Sequence, residues 1–373
     1  MDEEKWDQGM ESPLKYFAGL TDPRVERTKE HLLGEILFIT IAAVLSGAQS
    51  WNDIADYGAC KREWLASFLT LPGGIPSHDT FNRVLSALDP LELENCFLDW
   101  VRAVAQLSAG EVVSIDGKAI RGSRQAGGQA IVHMVSAWAS ENNLVLGQHK
   151  VDSKSNEITA IPKLLDVLDL QGCVVTIDAI GCQKTIAQQI VGKQADYILA
   201  VKENQGELLE NVRDSFQLLA ATSVSQEVDC GHGRVEQRRC SVIADLSLVE
   251  RAAQWTALQS LVRVQAERFS KSTGAGERET RYYISSLAPE ALRINRAIRQ
   301  HWHIENKLHW VLDVGFHEDH SRKRAGHAAQ NFSLMNRIAL NLLKQDKTSK
   351  RGVVGKRLKA GWDNQYLISL LAN

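Results

Sequence analysis

A β-branched run that stops on an acid, and does so twice, limits what this chain can fold into. The stretch from Glu111 to Ser123 reads EVVSIDGKAIRGS, with Val112, Val113 and Ile115 leading to Asp116, then Gly117 and Lys118. Apolar residues at successive rather than alternate positions suit a strand buried on both faces. Val174 to Gly181, VVTIDAIG, repeats the pattern and ends on Asp178. Core strands that each deliver a carboxylate at one end bring oxygen ligands together. Hard cations such as Mg²⁺ bind such carboxylates and keep water in their remaining positions. A strand-terminal Asp can instead cap the turn that follows; the repetition, with a third acid further on, favours the metal reading.

The 373 residues leave room for two or three domains and a large core. A formal net charge of −2 gives no overall pull on a polyanion, so any nucleic-acid surface must be local. The cysteines (Cys60, Cys96, Cys173, Cys182, Cys230, Cys240) include no C-x-x-C pair, which argues against a zinc site and a disulfide framework. Without a signal-peptide pattern, the expected location is the cytoplasm with reduced thiols. The most apolar stretch, Ile36 to Ala48, is too short to cross a bilayer and reads as a buried helix.

From about Pro13 to Gln106 each segment has helical spacing. Ser77 or Asp79 is placed to cap a helix carrying Phe81, Val84, Leu85 and Leu88, and Pro90 opens the next one. The segment 77–88 has the outline of the second half of a helix-turn-helix, a unit that serves as often for packing as for reading DNA. After Gly110 the pattern changes. Strand 111–116 is followed by strands over 130–140 and 144–151, a helix over 157–168, the second acid-bearing strand, a helix over 183–192 and a strand over 196–201. This β-β-β-α-β-α-β order, with acids ending the first and fourth strands, is that of a ribonuclease-H-like core. Beyond it, 207–287 reads as a β-rich insertion, with an HGR turn at 232–234 and an exposed hairpin tip at 270–278.

The segment Pro289 to Leu312 places Ile294, Ile298, Trp302, Glu305, Leu308 and Leu312 at steps of three and four, one helix face. On that reading Glu305 projects toward the core among apolar neighbours, where an unpaired carboxylate is costly unless a metal or a base meets it. Arg299, His301, His303, Lys307 and His309 flank it and suit a site that holds phosphates beside a metal. Trp302 and Trp310 could stack on a displaced base or belong to the core. Lys344, Lys347, Lys350, Arg351, Lys356, Arg357 and Lys359 make the C-terminus basic. The expected organisation is a helical domain (1–108), the first part of the core (109–206), the insertion (207–287), the helix of the third acid (288–345) and a basic tail (346–373).

The motifs IDGKAIRGS (115–123), SNEITAIPKLLDVLDL (155–170), TIDAIGCQK (176–184), YILAVKENQ (197–205), HGRVEQR (232–238), RYYISS (281–286) and IRQHWHIENKLHWVLDV (298–314) occur in one order. In this the chain resembles the DDE transposases of the H-repeat-associated insertion sequences, over essentially its whole length. The resemblance implies that Asp116, Asp178 and Glu305 form the catalytic triad and hold two Mg²⁺ ions, with Mn²⁺ as a substitute. It implies cleavage at the ends of a mobile element and strand transfer into target DNA, by a homodimer on DNA in the bacterial cytoplasm. Lys118, Arg121, His232, Arg234, Arg299, His301, Trp302 and Lys307 are the expected DNA contacts. The broader group carries Tyr, Arg and Lys where this sequence has Ile298, His301 and Leu312, which puts its base-flipping and hairpin chemistry in doubt here. A catalytically silent DNA-binding relic and a metal-dependent nuclease share the same residues.

Overall fold

The computed structural model describes residues 12–124, 131–152, 156–231, 234–270 and 276–372. The N-terminal part is helical: α1 Pro13–Tyr16, α2 Leu33–Leu45, α3 Trp51–Cys60, α4 Arg62–Ala66, α5 His78–Ala87 and α6 Pro90–Val104. Helix α2 is apolar all round and accordingly central, with Ile36 to Leu45 buried. Its two polar residues are satisfied: Thr40 donates to the Ile36 carbonyl at 2.7 Å, and Glu35 accepts from the Thr70 and Leu71 amides at 2.7 and 3.1 Å. Ser77, not Asp79, caps α5, accepting from the Thr80 amide. Phe81, Val84 and Leu85 are buried where α5 packs on α3 and on a later helix described below.

Nine strands make one mixed sheet in the order β3-β2-β1-β4-β5-β9-β8-β7-β6. They are β1 Val112–Ile120, β2 Val132–Ala139, β3 Leu144–Lys150, β4 Val174–Ile177, β5 Asp196–Val201, β6 Ser223–Gly231, β7 Arg234–Ile243, β8 Ser260–Ser270 and β9 Gly276–Ser285. Between them run α7 Glu157–Val167, α8 Lys184–Gly192 and α9 Gly206–Leu218. Strands β1, β4 and β5 are parallel, and the other pairings are antiparallel. The unbroken β-branched run of β1 has the expected cause. Val113 and Ile115 join the main core with Val175 and Ile177, whereas Val112 joins a second apolar cluster with Val174, Ile198, Ile294 and Ile298. Both faces are covered.

Three features differ from the sequence expectations. Strand β1 does not end on Asp116 but continues to Ile120, because β2 goes on pairing with it from Gly117↔Val135 to Ile120↔Val132 after β4 has stopped at Ile177. The β-rich region is continuous with the core, since β9 hydrogen-bonds to β5 through Ile198↔Ser285 to Val201↔Tyr282. The basic C-terminus is folded rather than trailing. Helices α10 Ala291–His301, α11 Trp310–Phe316, α12 Ala328–Gln345, α13 Val353–Trp362 and α14 Asn364–Leu371 complete the chain, and α12, α13 and α14 all pack on α2. Helix α12 is also the second partner of α5. Lys356 is buried and donates to the Leu343 and Asp346 carbonyls; Arg357 is buried and donates to those of Val44 and Gly315.

Candidate active site

The parallel register Ile115↔Ile177 sets Asp116 and Asp178 one residue further along neighbouring strands. The side chain of Asp116 is only 20% exposed. Burial pushes its carboxyl up to about 7, and the nearby carboxylates of Asp178, Glu157 and Glu305 add to the rise, against the hydrogen bond from the Gly117 amide. Asp178 caps the turn Ala179–Gly181, taking the Ile180 amide on Oδ1 at 3.2 Å. Its pKa is also raised by burial, moderated by that amide and by Lys202. The capping and site readings of Asp178 are thus compatible, since one bond to Oδ1 leaves further lone pairs on the carboxylate.

Glu305 is exposed, which corrects the expectation of a carboxylate facing the core. Helix α10 ends at His301 and a π-helical turn, Ile304–His309, leads into α11. The buried path runs Ile298, Ile304, Leu308, Leu312, so Ile304 takes the position expected for its neighbour. A step of one residue rotates a helix by about 100°, and Glu305 falls at the rim, where its charge acts on Asp116. The π turn packs against β1. It also delivers His309, whose Nδ1 lies 3.5 Å from Asp116 Oδ2. Burial holds the His309 pKa down to about 3, helped by Arg337 and Lys118, so this imidazole is neutral.

The residues expected to meet DNA divide sharply. Lys118 is 7% exposed, with Nζ 2.7 Å from Asp313, 2.9 Å from Asp319 and 3.6 Å from Glu318; these carboxylates, not phosphates, take its charge. His301 turns inward, its Nδ1 2.9 Å from Thr176 Oγ1, and burial lowers its pKa to about 4. Arg299 is held by Glu227 at 3.3 Å and Asp229 at 3.0 Å, and the guanidinium of Arg281 stacks 4.5 Å over the Trp302 ring. Lys307 donates to Asn143 Oδ1 at 3.1 Å, and its pKa is lowered by burial. Arg121 keeps an 81% exposed side chain, touching Asp319 at 3.4 Å. Trp310 is 60% exposed. His232 lies outside the described residues, as does the side chain of Arg234.

The family model described as "Transposase DDE domain" matches residues 107–342, and a second, "DDE_Tnp_1-associated", matches residues 14–101. The chain belongs to the DDE transposase family. It is 41% identical over 374 residues to YncI of Escherichia coli O157:H7, named a candidate transposase, covering 98% of this chain and 95% of that one. It is 39% identical over 368 residues to YhhI of Escherichia coli K12, an H repeat-associated protein with the same naming, covering 96% and 97%. A further K12 relative, named the inactive transposase YbfQ, matches at 46% over 56 residues, 15% of this chain and 67% of that one.

Two residues of this transposase near the acids, Lys202 and Glu157, were not singled out from sequence, and a third, His309, was named only as a flanking base of Glu305. Lys202 follows β5, the next parallel strand, and acts on Asp178; the rule that the carboxyl ends of parallel strands converge is the signal that points to it. His309 becomes adjacent to Asp116 only through the π turn. Glu157, at the first position of α7, reads locally as an ordinary helix-start acid. Its carboxylate lies where a β-carbon on Gly117 would be, so any larger residue there would have to displace the Glu157 side chain. Among the described residues no three acid, His or Cys side chains stand as a formed ligand set. Asp116 nonetheless feels the charges of Asp178, Glu157 and Glu305, and carboxylate oxygens are the donor type that a hard cation takes.

Proposed function

We propose that this protein is an insertion-sequence transposase that cuts DNA at the ends of its element and joins them to a target, using Asp116, Asp178 and Glu305 as the acids of a divalent-metal site. The observation that carries the proposal is the placement of Asp116 and Asp178 one residue past the paired Ile115 and Ile177, with the Asp116 side chain largely withdrawn from solvent. A carboxyl displaced from 3.8 to about 7 by burial and by surrounding acids costs stability in the absence of a cation and gains it when one binds. The strand order β3-β2-β1-β4-β5, with β1, β4 and β5 parallel, supports a ribonuclease-H-like core. The helices before residue 105, matched by the associated family model, support an N-terminal associated region, which shares its core with the C-terminal helices and the sheet.

Asp116 and Asp178 would hold Mg²⁺, or Mn²⁺ in its place, and Glu305 would close the set from the π turn. Two such ions supply Lewis-acid activation of the attacking and leaving oxygens. The protein's part is to fix the carboxylates, to keep His309 neutral beside Asp116, and to receive phosphates with exposed bases, of which Arg121 and Lys202 are the best placed. Hydrolysis at an element end frees a 3′-hydroxyl, which then attacks the target phosphodiester and releases a target 3′-oxygen. Each element end needs its own site, hence a homodimer on DNA.

Incubation of the purified protein with Mg²⁺ and a DNA fragment carrying the element ends tests this. Discrete cleavage with joined products is expected. Cleavage without joining would reduce the protein to a nuclease, and a gel shift without cleavage would reduce it to a relic that binds DNA.

A further inference from the structure

We infer that Glu157 is a fourth carboxylate of the Asp116–Asp178–Glu305 site and shares in holding its divalent cation. The inference rests on the metal-site reading above and deepens it. Glu157 does not cap its own helix: Asn156 does so, accepting from the Ile158 amide on Oδ1 at 3.2 Å. The Glu157 side chain is instead 15% exposed and is laid against the α-carbon of Gly117, the residue after Asp116.

The backbone makes room for it there. Strand β4 stops at Ile177, so beyond that register β1 has no neighbour on the β4 side. The carboxylate of Glu157 lies over the sheet face at Gly117, where a β-carbon would push it aside. Helix α7 also packs on the turn that Asp178 caps, which fixes the approach from the other side. Three acids from β1, the end of β4 and the start of α7 therefore converge, with Glu305 arriving from the π turn.

A purely structural role accounts poorly for this. Among the described residues the one ion-pair partner of Glu157 is His133, at 3.4 Å and 41% exposed. With its His133 end open to solvent, such a pair is well screened and contributes about 1 kcal/mol or less. Bringing a further carboxylate beside Asp116 and Asp178 works against folding unless positive charge is shared among them. A divalent cation is that charge, and carboxylate oxygens are its preferred ligands.

The test is Mn²⁺ binding to the full-length protein without DNA, followed by the electron paramagnetic resonance of the free ion, alongside melting in EDTA. Glu157→Gln should melt at or above the wild-type temperature and bind Mn²⁺ at least about tenfold more weakly. His133→Gln, which removes the ion pair and keeps the carboxylate, should bind Mn²⁺ as wild type does. Should Glu157→Gln fail to fold, Glu157→Asp keeps the charge and withdraws it by one methylene, and weakened Mn²⁺ binding is again expected. Wild-type affinity in whichever variant folds, while Asp116→Asn and Asp178→Asn lose the ion, would overturn the role of Glu157 and leave the triad standing. Equal losses in Glu157→Gln and His133→Gln would overturn it too, by assigning the effect to the pair. Wild-type affinity in Asp116→Asn and Asp178→Asn as well would mean that the metal-site reading itself has failed.

Discussion

Asp116→Asn should stabilise the metal-free protein while abolishing its chemistry. The side chains are isosteric, so packing between β2 and β4 is unchanged and the difference is one of charge. Burial, Asp178, Glu157 and Glu305 hold the Asp116 pKa at about 7 against an ordinary 3.8. Below the ordinary value the group is neutral in both folded and unfolded chains. As pH rises from there to 7, the unfolded chain loses a proton that the folded chain keeps, so stability falls with pH. Above 7 the whole cost stands, on the order of 4 kcal/mol at 1.36 kcal/mol per pH unit of displacement. Asparagine carries none of it. Urea unfolding in EDTA should therefore show the variant more stable by a few kcal/mol at pH 8, with the gap nearly closed at pH 4. Adding Mg²⁺ to a hundred times its dissociation constant should stabilise the wild type by about 2.7 kcal/mol and the variant far less. A variant less stable than wild type at pH 8, or a gap that does not change with pH, would refute the reasoning.

Other perturbations separate structure from chemistry in the same way. Lys118→Met leaves Asp313, Glu318 and Asp319 without their shared cation; it should cost about 3–5 kcal/mol in denaturant unfolding, with DNA affinity per folded molecule unchanged. Glu305→Gln, at an exposed position, should shift stability by less than about 0.5 kcal/mol, yet Mg²⁺-dependent nicking should fall by orders of magnitude. Arg121→Ala should weaken all duplexes alike and lower the slope of log affinity against log salt by about one; a loss confined to one sequence would identify a base contact instead.

What was legible in the sequence was what short-range pattern decides. The double burial of β1 was written in Val112, Val113 and Ile115, and the cap of α5 in Ser77. The succession of strands and helices from β1 to β5 followed from the spacing of apolar runs. What was hidden depended on partners distant in sequence. Nothing in EVVSIDGKAIRGS says that β2 will pair past Asp116, and the extra length of β1 comes from that pairing. Steps of three and four can be joined through Trp302 and Glu305 or through His301 and Ile304; isoleucine gains more from burial than glutamate, and the second path won. The basic residues near Glu305 looked available because their acidic partners lie far along the chain: Glu227 and Asp229 for Arg299, Asp313 to Asp319 for Lys118. Glu157 was invisible for the same reason, since its significance lies in a glycine on another element.

Those consumed charges also bear on how the chain holds Glu305, the proposed third acid, across the long detour from Asp178. After β5 the chain leaves the site, builds β6 to β9, and returns as α10, which packs on β1 and β4 and also on β6 and β7. The start of α10 is tied to β6 by Ser223 Oγ, which accepts from the Ala291 amide at 3.2 Å, and by Ser225 Oγ, which donates to the Ala291 carbonyl at 3.3 Å. Near its end, Arg299 bridges Glu227 and Asp229 on the same strand. Past the π turn, Asp313, Glu318 and Asp319 bind Lys118 of β1, while Glu318 is held in turn by Arg337 at 2.9 Å and Ser333 at 3.0 Å. Glu305 thus stands between one clamp on the outer sheet and another on the strand that carries Asp116. An exposed carboxylate on a free helix would sample many positions. With both flanks pinned, Lys118 and Arg299 are engaged in holding the segment that carries Glu305, and the β-rich region becomes part of the frame of the proposed site.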